Sequence, residues 1–213
     1  MKKGVLILII AIILIGLGVG IYFLTQKKET NTNANANINT NSQANLNVQK
    51  AQPVNYSAYS GPEKRVVFNT VTEWTTIAPE EVEKSLTSEM KDIYNIIYYG
   101  INPETVILAI SQRTFEKGRY TLSEMLDEEV KTGQSSNPDY RIEKIKQTTD
   151  YITFNGYFNR QTVVWVSVSK ATFVSADPAN DYYYLMELTM PESLKARYSD
   201  IIDDLLNSFQ KAP

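Results

Sequence analysis

The chain has no cysteine and no histidine in 213 residues. The first absence removes disulfides, thiol nucleophiles, thiolate metal sites and the cysteine that a lipoprotein anchor needs. The second removes the commonest general base and the commonest zinc ligand. Basic charge is also scarce where it would matter. Five Lys and one Glu fall in the first 53 residues, so the whole-chain net of −3 becomes −7 for the remainder. A domain this acidic should not bind nucleic acid or anionic membrane nonspecifically. Ser and Lys are plentiful, yet no Ser sits in a nucleophile-elbow context. No catalytic residue and no cofactor is assigned.

What is present begins at once. Gly4 to Gln26 carries no charge and is mostly Leu, Ile and Val, between Lys2-Lys3 and Lys27-Lys28. About 20 apolar residues at 1.5 Å each span a bilayer's hydrocarbon core as a helix. A cleaved signal peptide has a shorter core, and Ile21-Tyr22-Phe23-Leu24 runs on past the small-residue site at Gly18-Val19-Gly20. The expectation is an uncleaved, single-pass anchor over 4–26, with 1–3 in the cytoplasm. Gly16 and Gly20 form a GxxxG pair that can let two such helices meet in a weak dimer.

Residues 27–53 form an Asn-rich, low-complexity linker. Asn occupies every odd position from 31 to 41, then 45 and 47. Aromatic-free polar sequence cannot offset its ordering entropy, so a flexible tether reaching about 25–30 Å is expected. It leads to an extracytoplasmic domain over 54–213, of ordinary size for a single core.

Within that domain, Pro79-Glu80-Glu81 suits a first helical turn. Val82, Leu86, Met90, Ile93, Tyr94 and Ile97 follow at helical spacing, which predicts a helix over 79–99. Thr121 to Glu124 is a capping box for a short helix ended by Gly133. Thr189 to Glu192 opens a final helix whose stripe is Leu194, Tyr198, Ile201, Ile202, Leu205, Leu206 and Phe209. Strands are expected over 104–113, 162–173 and 182–188, with a hairpin turn at Asn155-Gly156. The first alternates Val106, Leu108 and Ile110 against Ile107 and Ala109. The second alternates Val164, Val166 and Val168 against Val163 and Trp165. The fold class that follows is α+β, with an antiparallel sheet flanked by helices on both faces.

Three acidic groups invite chemistry. Asp200, Asp203 and Asp204, and Asp127, Glu128 and Glu129, read as solvated polar helix faces. Asp177, Asn180 and Asp181 offer oxygen ligands that a Ca²⁺ could use, without the spacing of an EF-hand; a plain turn is the simpler reading.

The order of elements resembles the PsbP-like superfamily. Phe68 to Trp74 is similar to that family's opening strand and Trp. Ile152-Thr-Phe-Asn-Gly156 is similar to its mid-domain hairpin. Tyr182-Tyr-Tyr-Leu185, Pro191-Glu-Ser and Asn207-Ser-Phe209 are similar to its last strand and helix. Thr70 to Glu73 stand where the family has a Pro before the Trp. The resemblance implies a three-layer α/β/α, non-catalytic domain that binds another envelope protein or complex, and it carries over no active-site residues. A bacterial origin fits that reading. The alternative from a different class is an envelope glycan hydrolase working with carboxylates only.

Overall fold

β-branched and aromatic residues crowd the second half of the chain, and there they form long strands. The computed structural model describes residues 49–84, 94–175 and 177–213. They make a mixed α+β fold with antiparallel sheets and few helices. The anchor expected over 4–26, with its GxxxG pair, lies outside the described residues. Among the described residues, no helix is long and apolar enough to cross a membrane.

The larger sheet holds β3 (Thr75–Thr76), β4 (Asn95–Ile101), β5 (Ile107–Glu116), β6 (Arg141–Gln147), β7 (Tyr151–Arg160), β8 (Val163–Val174) and β9 (Asn180–Pro191), in the order β3-β4-β5-β9-β8-β7-β6. Strands β6 to β9 form a meander that folds back so that β9 lies beside β5. A smaller sheet is ordered β1 (Tyr56–Ser60), β2 (Val66–Val71), β10 (Gln210–Lys211). The helices are α1 (Pro79–Lys84), α2 (Leu122–Ser136), α3 (Glu192–Lys195) and α4 (Ser199–Ser208).

Period-2 alternation sends each strand's two sides into different cores. On one face, Leu108, Ile110, Val166, Val168, Met186 and Leu188 meet Tyr198, Ile201, Ile202, Leu205 and Phe209 of the C-terminal segment, with Val66 and Phe68 of β2. On the other, Ile152, Phe154, Ala171, Tyr183 and Leu185 meet Leu122, Met125 and Leu126 of α2. Beside them Ile96, Tyr99, Ile101 and Ile107 enclose Val82 of α1. Helices thus cover both faces, and the small sheet completes one layer. Val106, Leu108 and Ile110 share the α4 face and Ile107 and Ala109 the opposite one, as the alternation predicts.

Several elements differ from the sequence reading. The helix expected over 79–99 is described as α1 up to Lys84, and Asn95–Ile101 is a strand. Its Ile-Ile-Tyr-Tyr run pairs with β5, so ladder bonds and sheet burial outweigh the helical spacing of Tyr94 and Ile97. Leu86, Met90 and Ile93 of the expected stripe lie outside the described residues. Thr189 is not a cap but part of β9, its hydroxyl 3.0 Å from Ser167 Oγ. Val164 is 38% exposed rather than under α4.

The expected Asn155-Gly156 turn is the middle of β7, and the chain turns at Gln161-Thr162 instead. Gly133 does not stop α2, which continues to Ser136. Both glycines answer to Tyr140. A Cβ on Gly133 would fall 1.9 Å from the Tyr140 ring, and one on Gly156 would fall 2.6 Å from its hydroxyl. They are contact glycines, not turn glycines.

Candidate functional site

Lys170 stands at an alternation position of β8 that otherwise points apolar residues at α4. Its Nζ donates to the carbonyl of Leu206 at 2.8 Å, in the last turn of α4. That end of a helix favours a cation. The Lys170 ammonium also lies 4.7 Å from the centre of the Tyr151 ring. Burial pushes its pKa below the usual lysine range.

Lys170 forms part of the wall of a groove of about 400 Å³ between α4 and the β6–β8 side of the sheet. Val168, Ile202 and Leu206 supply its apolar lining, and Ile145 stands at the outer edge. Lys146 reaches in from β6, 5.5 Å from the Tyr151 ring. It holds the Tyr151 hydroxyl below its ordinary pKa through a hydrogen bond. Lys195 comes from α3 and donates to Tyr157 Oη at 3.4 Å. Three ammonium groups therefore rim an apolar groove in an otherwise acidic domain. Asp203 is the carboxylate in the lining. This arrangement can hold a ligand that pairs negative charge with apolar surface. The bulge at Ile145 and the lysines also blunt β6 as a sheet edge.

On the opposite face the structure brings together carboxylates that the sequence reading separated. Glu129 is buried, not solvated, and accepts from Arg113 Nη1 at 3.5 Å. Half-buried Glu187, on β9, accepts from Ser167 Oγ at 3.2 Å. Burial, then the Glu129 charge, raises Glu187 to about 7. Burial also raises Glu129, against the pull of Arg113. Ser169 Oγ, Tyr94 Oη and Arg113 Nε are buried there without a hydrogen-bond partner among the described residues. Neither Glu129 nor Glu187 lines the lysine groove.

The other acidic candidates fall elsewhere. Asp200, Asp203 and Asp204 are exposed on α4, as expected. Asp177 Oδ1 accepts from the Ala179 amide at 2.7 Å, and Asp181 Oδ2 from the Gly118 amide at 2.8 Å. Asp181 Oδ1 takes the Ser175 hydroxyl. Both carboxylates are held below the usual range, first by those backbone donors. Among the described residues, no group of three or more acidic side chains is placed to hold a metal.

The three lysines come from three elements, so no local motif joins them. Lys170 does carry a trace in sequence, as a charge on the Val164-Val166-Val168 face. Glu187 carries the same trace, on the face of Tyr183 and Leu185.

No protein-family model matches this chain, and no curated protein matches it in sequence. Among solved structures, LpqN, involved in cell envelope biogenesis of Mycobacterium tuberculosis, is similar with a TM-score of 0.49 and 7% identity, over 76% of this chain and 93% of that one. Cyanobacterial PsbP (CyanoP) from Synechocystis sp. PCC 6803 is similar with a TM-score of 0.49 and 11% identity, over 81% and 98%. The second carries the name of the family that the sequence motifs resemble.

Proposed function

We propose that this protein is a non-catalytic binding domain held on the outer side of a cell membrane by residues 4–26 and the Asn-rich tether. Its lysine-rimmed groove would receive an acidic, partly apolar segment of another envelope protein. The observation that carries this reading is the convergence of Lys146, Lys170 and Lys195 on an apolar groove where, among the described residues, Asp203 is the single carboxylate. Charge complementarity of this kind steers encounter and selects partners.

The test is crosslinking in intact membranes with the full chain. Lys146→Glu combined with Lys195→Glu should abolish the crosslinked partner and leave the melting temperature unchanged. Lys170 is spared because its bond to Leu206 supports α4. A partner still captured by the double variant would remove the groove from the binding surface.

The hydrolase alternative rests on Glu187, whose raised pKa suits a general acid at neutral pH. Glycan turnover that Glu187→Gln abolishes would establish it in place of the binding reading.

A further inference from the structure

The β7–β8 hairpin runs past every strand beside it. Pairing of β8 with β9 ends at Trp165 and Pro191, and pairing of β6 with β7 ends at Arg141 and Tyr157. From Phe158 to Val164 the two strands pair only with each other. This overhanging ribbon carries an apolar residue on each side, Val163 beside Arg160 and Val164 beside Asn159, with Gln161 and Thr162 at its turn. Val163 and Val164 are 43% and 38% exposed, two of the few large hydrophobic residues so placed. Phe158 stacks on Trp165 at 6.4 Å, and Arg160 lies 5.4 Å from the Trp165 ring. The Asn159 backbone carbonyl accepts from Asn137 Nδ2 at 2.8 Å, which braces the ribbon's stem.

The start of the domain lies at the same end of the sheet. The Ala51 amide donates to the Arg197 carbonyl at 2.9 Å, and Lys50 pairs with Asp200 at 2.8 Å. Arg197 follows α3, which itself follows Pro191, the partner of Trp165. Lys195 of α3 reaches Tyr157, four residues before the ribbon's turn at Gln161. The first described residues therefore lie at the end of the sheet from which the ribbon projects.

We infer that the tip of the β7–β8 hairpin, Phe158 with Val163, Val164 and Trp165, rests in the interfacial layer of the bilayer that anchors the chain. This inference rests on the anchored reading above. The occupant follows from the tether, whose reach of about 25–30 Å keeps a lipid surface near this end of the domain at high effective concentration. Trp beside Arg is the pair that suits the headgroup level, where an indole body is buried and a guanidinium stays wet. The surrounding charges are mixed: Arg141, Arg160 and Lys195 against Asp139 and Glu192. The contact is thus driven by apolar burial, not by net charge, and it needs the tether.

The test uses the full chain in phosphatidylcholine vesicles, with brominated acyl chains as quenchers. The other tryptophan, Trp74, is buried in the core. A Trp74→Phe background reports Trp165 alone, and a Trp165→Phe background reports Trp74 alone. Trp165 emission should be lost to the brominated lipid and Trp74 emission retained. Val163→Asp with Val164→Asp should restore the Trp165 signal while the chain still floats with the vesicles. A chain that floats with Trp165 unquenched overturns the tip contact and leaves the anchor standing. A chain that does not float overturns both. Quenching that survives the double Asp variant overturns the part given to Val163 and Val164 in the contact, and quenching that an added envelope protein displaces assigns the tip to that protein.

Discussion

Glu187 shows how a single carboxyl can set the pH response of the fold. Its pKa rises from 4.5 to about 7 in the folded protein, first because it is buried and then because Glu129 faces it. Arg113 pairs with Glu129, and Ser167 is the donor to Glu187. Between those two pKa values the folded state binds more protons than the unfolded one, so this group's contribution to stability falls as pH rises from 4.5 to 7. Above 7 the loss is complete. The full shift would be worth about 3 kcal/mol, and partial solvent access brings the expected effect to about 1–2 kcal/mol. Glu187→Gln should therefore melt higher than the parent at pH 8 and alike at pH 4. Equal gains at both values would show that Glu187 is not charged at the cost of stability.

The C-terminal segment decides whether one whole face of the large sheet is covered. Tyr198, Ile201, Ile202, Leu205 and Phe209 are all buried, the last two completely. Tyr198 also accepts from Asn102 Nδ2 and donates to Glu104, each at 2.8 Å, which ties the α3–α4 corner to the β4–β5 turn. Strand β10 then pairs with β2 and closes the small sheet. Each large buried side chain is worth about 1.5–3 kcal/mol, and their sum rivals a total stability of about 5–15 kcal/mol. A chain ending at Met190 should show no cooperative melting transition by circular dichroism. A sharp transition from that chain would make α4 a peripheral element.

For the molecule as a whole, the proposed anchor and tether would determine what a protease meets. Protease added outside intact cells should cut within the Asn-rich segment and release a folded fragment that begins near residue 50, where Lys50 and Ala51 are held against Asp200 and Arg197. Intact-mass measurement of the membrane-bound chain should retain Met1 to Gln26. Protection of the domain until lysis would reverse the topology, and loss of about 20 residues from the N-terminus would mark a cleaved signal peptide.

Local regularities in the sequence determined much of the sheet and its sidedness. Alternation at Val106–Ile110 and Val166–Val168 set the faces, because a strand's side chains can only alternate. The Leu205–Phe209 stripe set the buried side of α4, and Thr121 with Glu124 formed the capping box that opens α2. Tertiary structure decided what depended on distant neighbours. Asn95–Ile101 became a strand because β5 offers it a ladder, and Asn155-Gly156 stayed extended because β6 and β8 pair with it on both sides, while Tyr140 fills the space a side chain at 156 would need. Glu129 could not be told from its solvated neighbours Asp127 and Glu128 until Arg113 was placed beside it. The lysine groove and the overhanging ribbon were invisible for the same reason. Each depends on which elements end near one another, and no window of sequence contains that distance.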